Sequence, residues 1–279
     1  MKLFPNTLYI VSTPIGNLDD ITLRAIQVLK NSDIILCEDT RRSLKLLNHL
    51  KIKKQLISYH KFNEKKQTYT AIEHIKKGKI LSIISDAGTP MLSDPGQLLL
   101  RECISKKVRV VPVPGVSSIT TAMSVSGFDH KFLFYGFLPK KENEIEKILK
   151  TLSIIKFSLV FFIPSIKVNL YLKKFKKFFP ERKLLIAREM TKIYEEFLRD
   201  DIKKFTTFKE TLKGEITLVV SEHEIKEKSV NKQKIINKAK KYLKRYGVKD
   251  TVDLILETEK LNKKEIYQLC LEIKKSEIY

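Results

Sequence analysis

Four short apolar runs, Leu8–Val11, Ile34–Cys37, Ile80–Ile84 and Val108–Val111, alternate with helix-patterned segments in the first part of the chain. Strands that alternate with helices are joined by crossovers, and crossovers give a largely parallel sheet covered by helices. The intervening helices are expected at Asp20–Leu29 with Asp19 or Asp20 as cap, Thr40–Leu50, Thr68–Lys77 with Gly78 as C-cap, within Ser93–Lys106, and at Val116–Val125. Gly127–Pro139 reads as a crossover into a second α/β unit. Its elements are expected at Phe157–Ile163 (strand), Lys167–Phe179 (basic helix), Lys183–Ala187 (strand) and Ile216–Val220 (strand).

Composition shifts after His223. Lys226 to Lys249 holds ten basic residues and one acidic residue. A linker and a small all-α domain are expected, with a helix at Asp250–Thr258, a tight turn at Leu261-Asn262 capped by Asn262, and a helix at Lys263–Lys275. Two short helices across such a turn give helix-turn-helix geometry. A packing hairpin with a solvated basic face is the alternative. The expected domains are therefore 1–121, 122–222 and 231–279.

The formal net charge of the 279 residues is +22, a field that favours a polyanion, nucleic acid first. The excess is nearly all lysine, and Lys, Ile and Asn are abundant together, a bias that genome composition also produces. No run of eighteen apolar residues is present, so no membrane partner is expected. Met1 to Pro5 leads straight into a strand without the apolar region of a secretion signal. Cys37, Cys103 and Cys270 lie far apart and form no metal-ligand spacing. A cytoplasmic chain with reduced thiols and no metal is expected.

Four clusters sit where strands end: Ser12 to Leu18, Cys37 to Arg42, Ser85 to Gly96, and Pro112 to Ser118. In an open parallel sheet, ligands bind outside the carboxyl ends of the strands. The third cluster places two glycines, two prolines and two aspartates in twelve residues. Glycine admits close approach of a ligand to the backbone, and proline fixes φ. No GxGxxG follows the first strand, and neither a P-loop, a GxSxG elbow nor an HExxH pair occurs. Dinucleotide oxidoreductase, P-loop NTPase, serine hydrolase and zinc protease readings lose their motifs.

The series Tyr9 to Thr22, Cys37-Glu38-Asp39-Thr40-Arg41, Ser85 to Gly96 and Val113 to Ser118 continues with Phe134 to Pro139, Ala187 to Lys192 and Gly214-Glu215-Ile216. In this order it resembles the tetrapyrrole-methylase type (class III) of S-adenosylmethionine transferases. More narrowly, it is similar to the subfamily that methylates a ribose 2′-oxygen of a decoding-centre cytidine in small-subunit ribosomal RNA. The likeness spans about residues 7–222. It departs from the expected pattern at His60-Lys61-Phe62-Asn63-Glu64, and it extends to the basic C-terminal helices.

The resemblance implies two α/β domains with S-adenosylmethionine in the cleft between them, a homodimer, and the 30S subunit as partner. It puts the cofactor against Ile15, Asp86, Ala87, Gly88, Thr89, Pro90, Leu92, Ser117, Ser118, Ala187 and Ile216. A ribose hydroxyl is a weak acid, so a base or polarising cation helps its attack. The candidates are Asp39, His60, Glu64, Glu189 and Lys192. The alternative reading pairs Asp39 with Arg41 or Arg42, and Glu189 with Arg188. Arg41, Arg42, Lys140 and Lys141 are expected at phosphates. Asp86 and Asp94 read as loop-shaping and cofactor-positioning groups rather than acid–base catalysts. Two rival functions remain open: a tetrapyrrole methyltransferase, and a non-catalytic RNA-binding assembly factor.

Overall fold

The computed structural model describes residues 2–223, 232–258 and 262–276. The chain divides into two compact units, Met1–His223 and Glu224–Tyr279. The first begins with a five-stranded sheet of β1 (Thr7–Val11), β2 (Ile34–Cys37), β3 (Gln55–Ser58), β4 (Ile80–Ile84) and β5 (Arg109–Val113). Its order is β3-β2-β4-β1-β5 and every pair is parallel. The central strands β2, β4 and β1 are buried on both faces, so neighbouring residues belong to different cores. Tyr9, Val11, Ile35 and Cys37 pack with Ala25, Val28 and Leu29 of α1 (Leu23–Asn31) and Leu47 of α2 (Thr40–His49). Leu8, Ile34, Leu36 and Ile83 pack with Ala71, Ile72 and Ile75 of α3 (Glu64–Lys76) and Leu99 and Cys103 of α4 (Gln97–Ser105). This period of two across a helix-covered sheet is the three-layer arrangement that the alternation of patterns demands.

Two helix starts differ from expectation. The first helix begins at Leu23, because the Thr22 hydroxyl accepts from the Ala25 N–H at 3.1 Å, while Leu18–Asp20 makes a separate 3-10 turn. Helix α3 begins at Glu64, four residues before the expected Thr68.

A second five-stranded sheet has the order β6-β7-β10-β8-β9, with β6 (Phe132–Phe137), β7 (Ser158–Pro164), β8 (Lys183–Arg188), β9 (Glu196–Asp201) and β10 (Glu215–Val220). Only β6 and β7 are parallel; the other neighbours are antiparallel. One face is covered by α6 (Glu142–Ser153) and α7 (Val168–Phe178), with Phe161, Phe175 and Leu218 among the fully buried side chains. The opposite face, through Val160, Leu185, Ala187 and Val219, packs against Ile119 and Ala122 of α5 (Ser118–Ser124) and against Ile15 from the loop after β1. That shared cluster holds the first sheet's loops against the second sheet. Helix α5 runs through residues 121 and 122, where a domain boundary was expected.

The second unit contains α8 (Lys232–Leu243), α9 (Val248–Thr258) and α10 (Lys263–Ser276) around Ile235, Ala239, Val252, Ile255, Ile266, Cys270 and Ile273. Asn262 caps α10 by accepting from the Lys264 N–H at 2.9 Å. The other half of the expected turn, Leu261, lies outside the described residues.

Candidate functional site

All four strand-end clusters stand at the carboxyl edge of the first sheet, where three of them are laced together. Thr13 and Gly88 exchange two backbone hydrogen bonds at 2.9 and 3.0 Å. The Thr89 hydroxyl donates to the Val116 carbonyl at 3.2 Å and lies 3.1 Å from the Ser12 hydroxyl. A Cβ at Gly115 would fall 2.9 Å from Ser12 Cβ, so glycine lets these loops touch. Gly88 has φ +75°, and a Cβ there would crowd Ile15 Cγ2 at 3.3 Å. Two non-glycine residues of the same loop, Met91 and Ser93, also have positive φ, +71° and +73°. Strain of this kind persists only where surrounding contacts over-determine it, and it clusters at ligand sites.

These loops and the second sheet enclose a cavity of about 510 Å³. Among the residues expected at the cofactor, Ile15, Ala87, Gly88, Thr89, Leu92, Ser117, Ser118 and Ile216 line it. Asp86 lines a neighbouring cavity instead, while Pro90 and Ala187 are on neither wall. Ala187 is fully buried behind the wall in the cluster that contains Ile15. The second half of the unit supplies residues not named as cofactor contacts from the sequence: Phe137, Phe162 and Pro164 on β6 and β7, and Met190 just after β8.

The cavity suits S-adenosylmethionine. Its volume is in the range of small-molecule sites, with an apolar lining and a few placed polar groups. Ser117 precedes α5 at the cap position, yet its hydroxyl makes no cap bond. That leaves a hydroxyl on the cavity wall that is not spent on the helix. Gly88, in a conformation side chains avoid, keeps the backbone accessible.

Asp94 also lines this cavity, where a loop-shaping and cofactor-positioning group is expected. Burial, then the negative charges of Glu38 and Asp86, push its carboxyl up to about 6, with the Ser85 hydroxyl opposing. Asp86, by contrast, braces the loops: it accepts from the Asp39 N–H at 3.1 Å and pairs with Arg42 at 3.5 Å.

The expected catalytic candidates lie elsewhere. Asp39 caps α2 and is gripped by Arg41, whose hydrogen bonds hold its carboxyl down at about 2. Glu189 accepts from Lys192 at 2.8 Å and from the Glu215 N–H at 2.8 Å. Burial opposes ionisation of Glu189, but those donors outweigh it and keep the carboxyl below its usual range. Lys192 also bonds Glu215 at 3.0 Å, so Glu189, Lys192 and Glu215 form a closed ionic triad beside the cavity. Glu64 opens α3, away from the lining. His60 and Arg41 line the neighbouring cavity, Arg42 pairs with Asp86, and Lys141 precedes α6 and pairs with Glu144. Lys140 is exposed.

The model for tetrapyrrole (corrin/porphyrin) methylases matches residues 7–206. A ribosomal RNA small subunit methyltransferase I from Rickettsia prowazekii is 43% identical over 268 residues, covering 94% of this chain and 95% of that protein. One of the same name from Thermotoga maritima is 44% identical over 217 residues, 77% of this chain and 97% of its own. Among solved structures, uroporphyrin-III C-methyltransferase from Thermus thermophilus complexed with S-adenosylhomocysteine aligns with TM-score 0.56 at 16% identity. That alignment covers 77% of this chain and 97% of that one. At such identity the likeness is one of fold.

Proposed function

Because this chain belongs to the tetrapyrrole (corrin/porphyrin) methylase family, we propose that it uses S-adenosylmethionine to methylate small-subunit ribosomal RNA, at the ribose 2′-oxygen of a decoding-centre cytidine. The observation that carries the RNA reading is the nearly full-length match, over 94% of the chain, to a relative named for that substrate class. The charge of +22 supports it. A tetrapyrrole substrate has only the fold-level likeness behind it. A purely RNA-binding role would leave the cofactor-sized cavity without a use.

Bound S-adenosylmethionine supplies an electrophilic methyl on a sulfonium. The chain's part is to position and to move a proton. Ile15, Ile119 and Phe162 exclude water, and Ser117 and Ser118 offer hydroxyls. Holding oxygen, methyl carbon and sulfur in line lowers the barrier without further chemistry. Asp94 is the carboxyl in the cavity with a basicity suited to accept the hydroxyl proton near neutral pH. The two α/β halves of the first unit act as the two walls of the site. The reading places the chain in the cytoplasm, as a homodimer working on the 30S subunit; light scattering of the purified chain checks the dimer.

Small subunits from a strain lacking the activity, incubated with the purified chain and labelled cofactor, should gain one ribose methyl, mapped at nucleotide resolution. Absence of transfer, with the cofactor bound, sinks the substrate reading.

A further inference from the structure

A second cavity, of about 450 Å³, opens beside the cofactor cavity. The two adjoin through consecutive residues, since Asp86 lines one and Ala87 the other. The polar groups of the second cavity are not equivalent. Asp39 and Arg41 satisfy each other through bonds of 2.8 and 3.1 Å. Asp86 is taken by the Asp39 N–H and Arg42. The Glu38 carboxylate has no hydrogen bond or ion pair among the described residues, so it is an acceptor awaiting a donor. Its ionisation is made harder first by burial, then by Asp86.

Phe62 stands on the wall of this cavity with 94% of its surface exposed. It does not dangle. Its N–H donates to His60 Nδ1 at 3.2 Å, and its ring meets the His60 ring edge-on at 6.1 Å. The turn beneath is pinned by Asn63, which accepts from the His60 N–H and donates to the Ser58 carbonyl, both at 2.9 Å. A braced aromatic facing water is a ready stacking platform. The side chains of Arg41 and Arg42, 86% and 62% exposed, flank it with guanidinium groups suited to phosphates.

We propose that the second cavity is a base pocket that takes one unstacked, amino-bearing base of single-stranded RNA, its ring on Phe62 and its exocyclic amine donating to Glu38. The inference rests on the RNA reading above and deepens it. Cytosine and adenine present that amine; uracil presents a carbonyl oxygen, which Glu38 repels. A nucleotide seated here brings its ribose toward Asp94, whose carboxyl feels both Glu38 and Asp86.

The test uses the full chain and two readouts: anisotropy of labelled short oligocytidylate and oligouridylate, and kcat/KM for methyl transfer to unmethylated small subunits. Wild type should prefer oligocytidylate about tenfold. Phe62→Ala should weaken oligocytidylate binding about tenfold, with Phe62→Trp restoring it and cofactor affinity unchanged. Glu38→Gln should erase the preference, because its amide also donates to uracil. Equal binding of both oligomers by wild type and both variants overturns the pocket, as does loss of cofactor affinity in parallel with RNA affinity in Phe62→Ala. Transfer to subunits failing while the Glu38-dependent preference holds overturns the ribosomal substrate and leaves the pocket standing.

Discussion

Asp94 is where a single residue decides most. Its carboxyl titrates at about 6 in the fold against an ordinary 3.8. The folded chain therefore holds this proton more tightly than the unfolded chain. Between about pH 4 and pH 6 the unfolded state carries fewer protons, so stability falls as pH rises through that window and is flat above it. Asp94→Asn removes the penalty: at pH 7 the variant should melt no lower than wild type, and the slope between pH 4 and 6 should shrink. Its kcat should drop by about 10²–10⁴ while cofactor affinity holds, and the acid limb of kcat near pH 6 should vanish. Asp94→Glu should restore part of the rate. A melting loss with kcat unchanged would assign Asp94 to the scaffold alone. The cavity-lining residues of this loop were legible because its glycines and prolines mark an unusual backbone, as Gly88 shows at φ +75°. The role of Asp94 was not, since it depends on two left-handed non-glycine residues, Met91 and Ser93, and on a charge from another loop, Glu38.

Among the elements, β1, β2, β4 and β5 and their helices were legible because these strands are short, mostly apolar runs with helical spacing between them. What escaped had a broken pattern. Strand β6 carries Gly136 at φ +83°, where its register against β7 shifts. Strand β9 pairs only with β8 and four of its six residues are charged, so it offers no apolar run. Strand β3, also at an edge, is just four residues long and partly exposed. In α6 the apolar face is Ile145, Leu149 and Leu152 in a charged background, easily read as a loop. The loop after β4 is the element on which the site hangs, and Gly88→Arg tests it. The substitution forces a side chain into a left-handed backbone next to Ile15, costing about 1–2 kcal/mol. That is a fraction of the stability of an ordinary domain, so the fold should survive with a melting point lower by several degrees. Calorimetry should show cofactor binding abolished. Binding within threefold of wild type would show that the loop does not wall the cofactor.

For the whole molecule, the separation of cores matters more than the total charge. Among the described residues, the first unit has its own buried clusters, from Leu3 to Val220, and the second has its own, from Ile235 to Ile273. The basic excess was plain in the sequence, and Asn262 was read correctly as a cap. A chain ending at His223 should therefore fold, melt cooperatively and keep cofactor affinity within about twofold, because every described residue lining the cavity proposed for the cofactor precedes it. Its affinity for small subunits should fall, and the slope of log affinity against log salt should flatten by about 0.7–0.9 for each phosphate contact removed. Lysines on α8, among them Lys238, Lys240 and Lys241, are the groups expected to make those contacts. A partial neutralisation, Lys240→Gln with Lys241→Gln, separates charge from shape: it should reduce the salt slope in the full chain without shifting the melting point. Truncation that lowers cofactor and RNA affinity equally would instead make the helical unit a prop for the catalytic one.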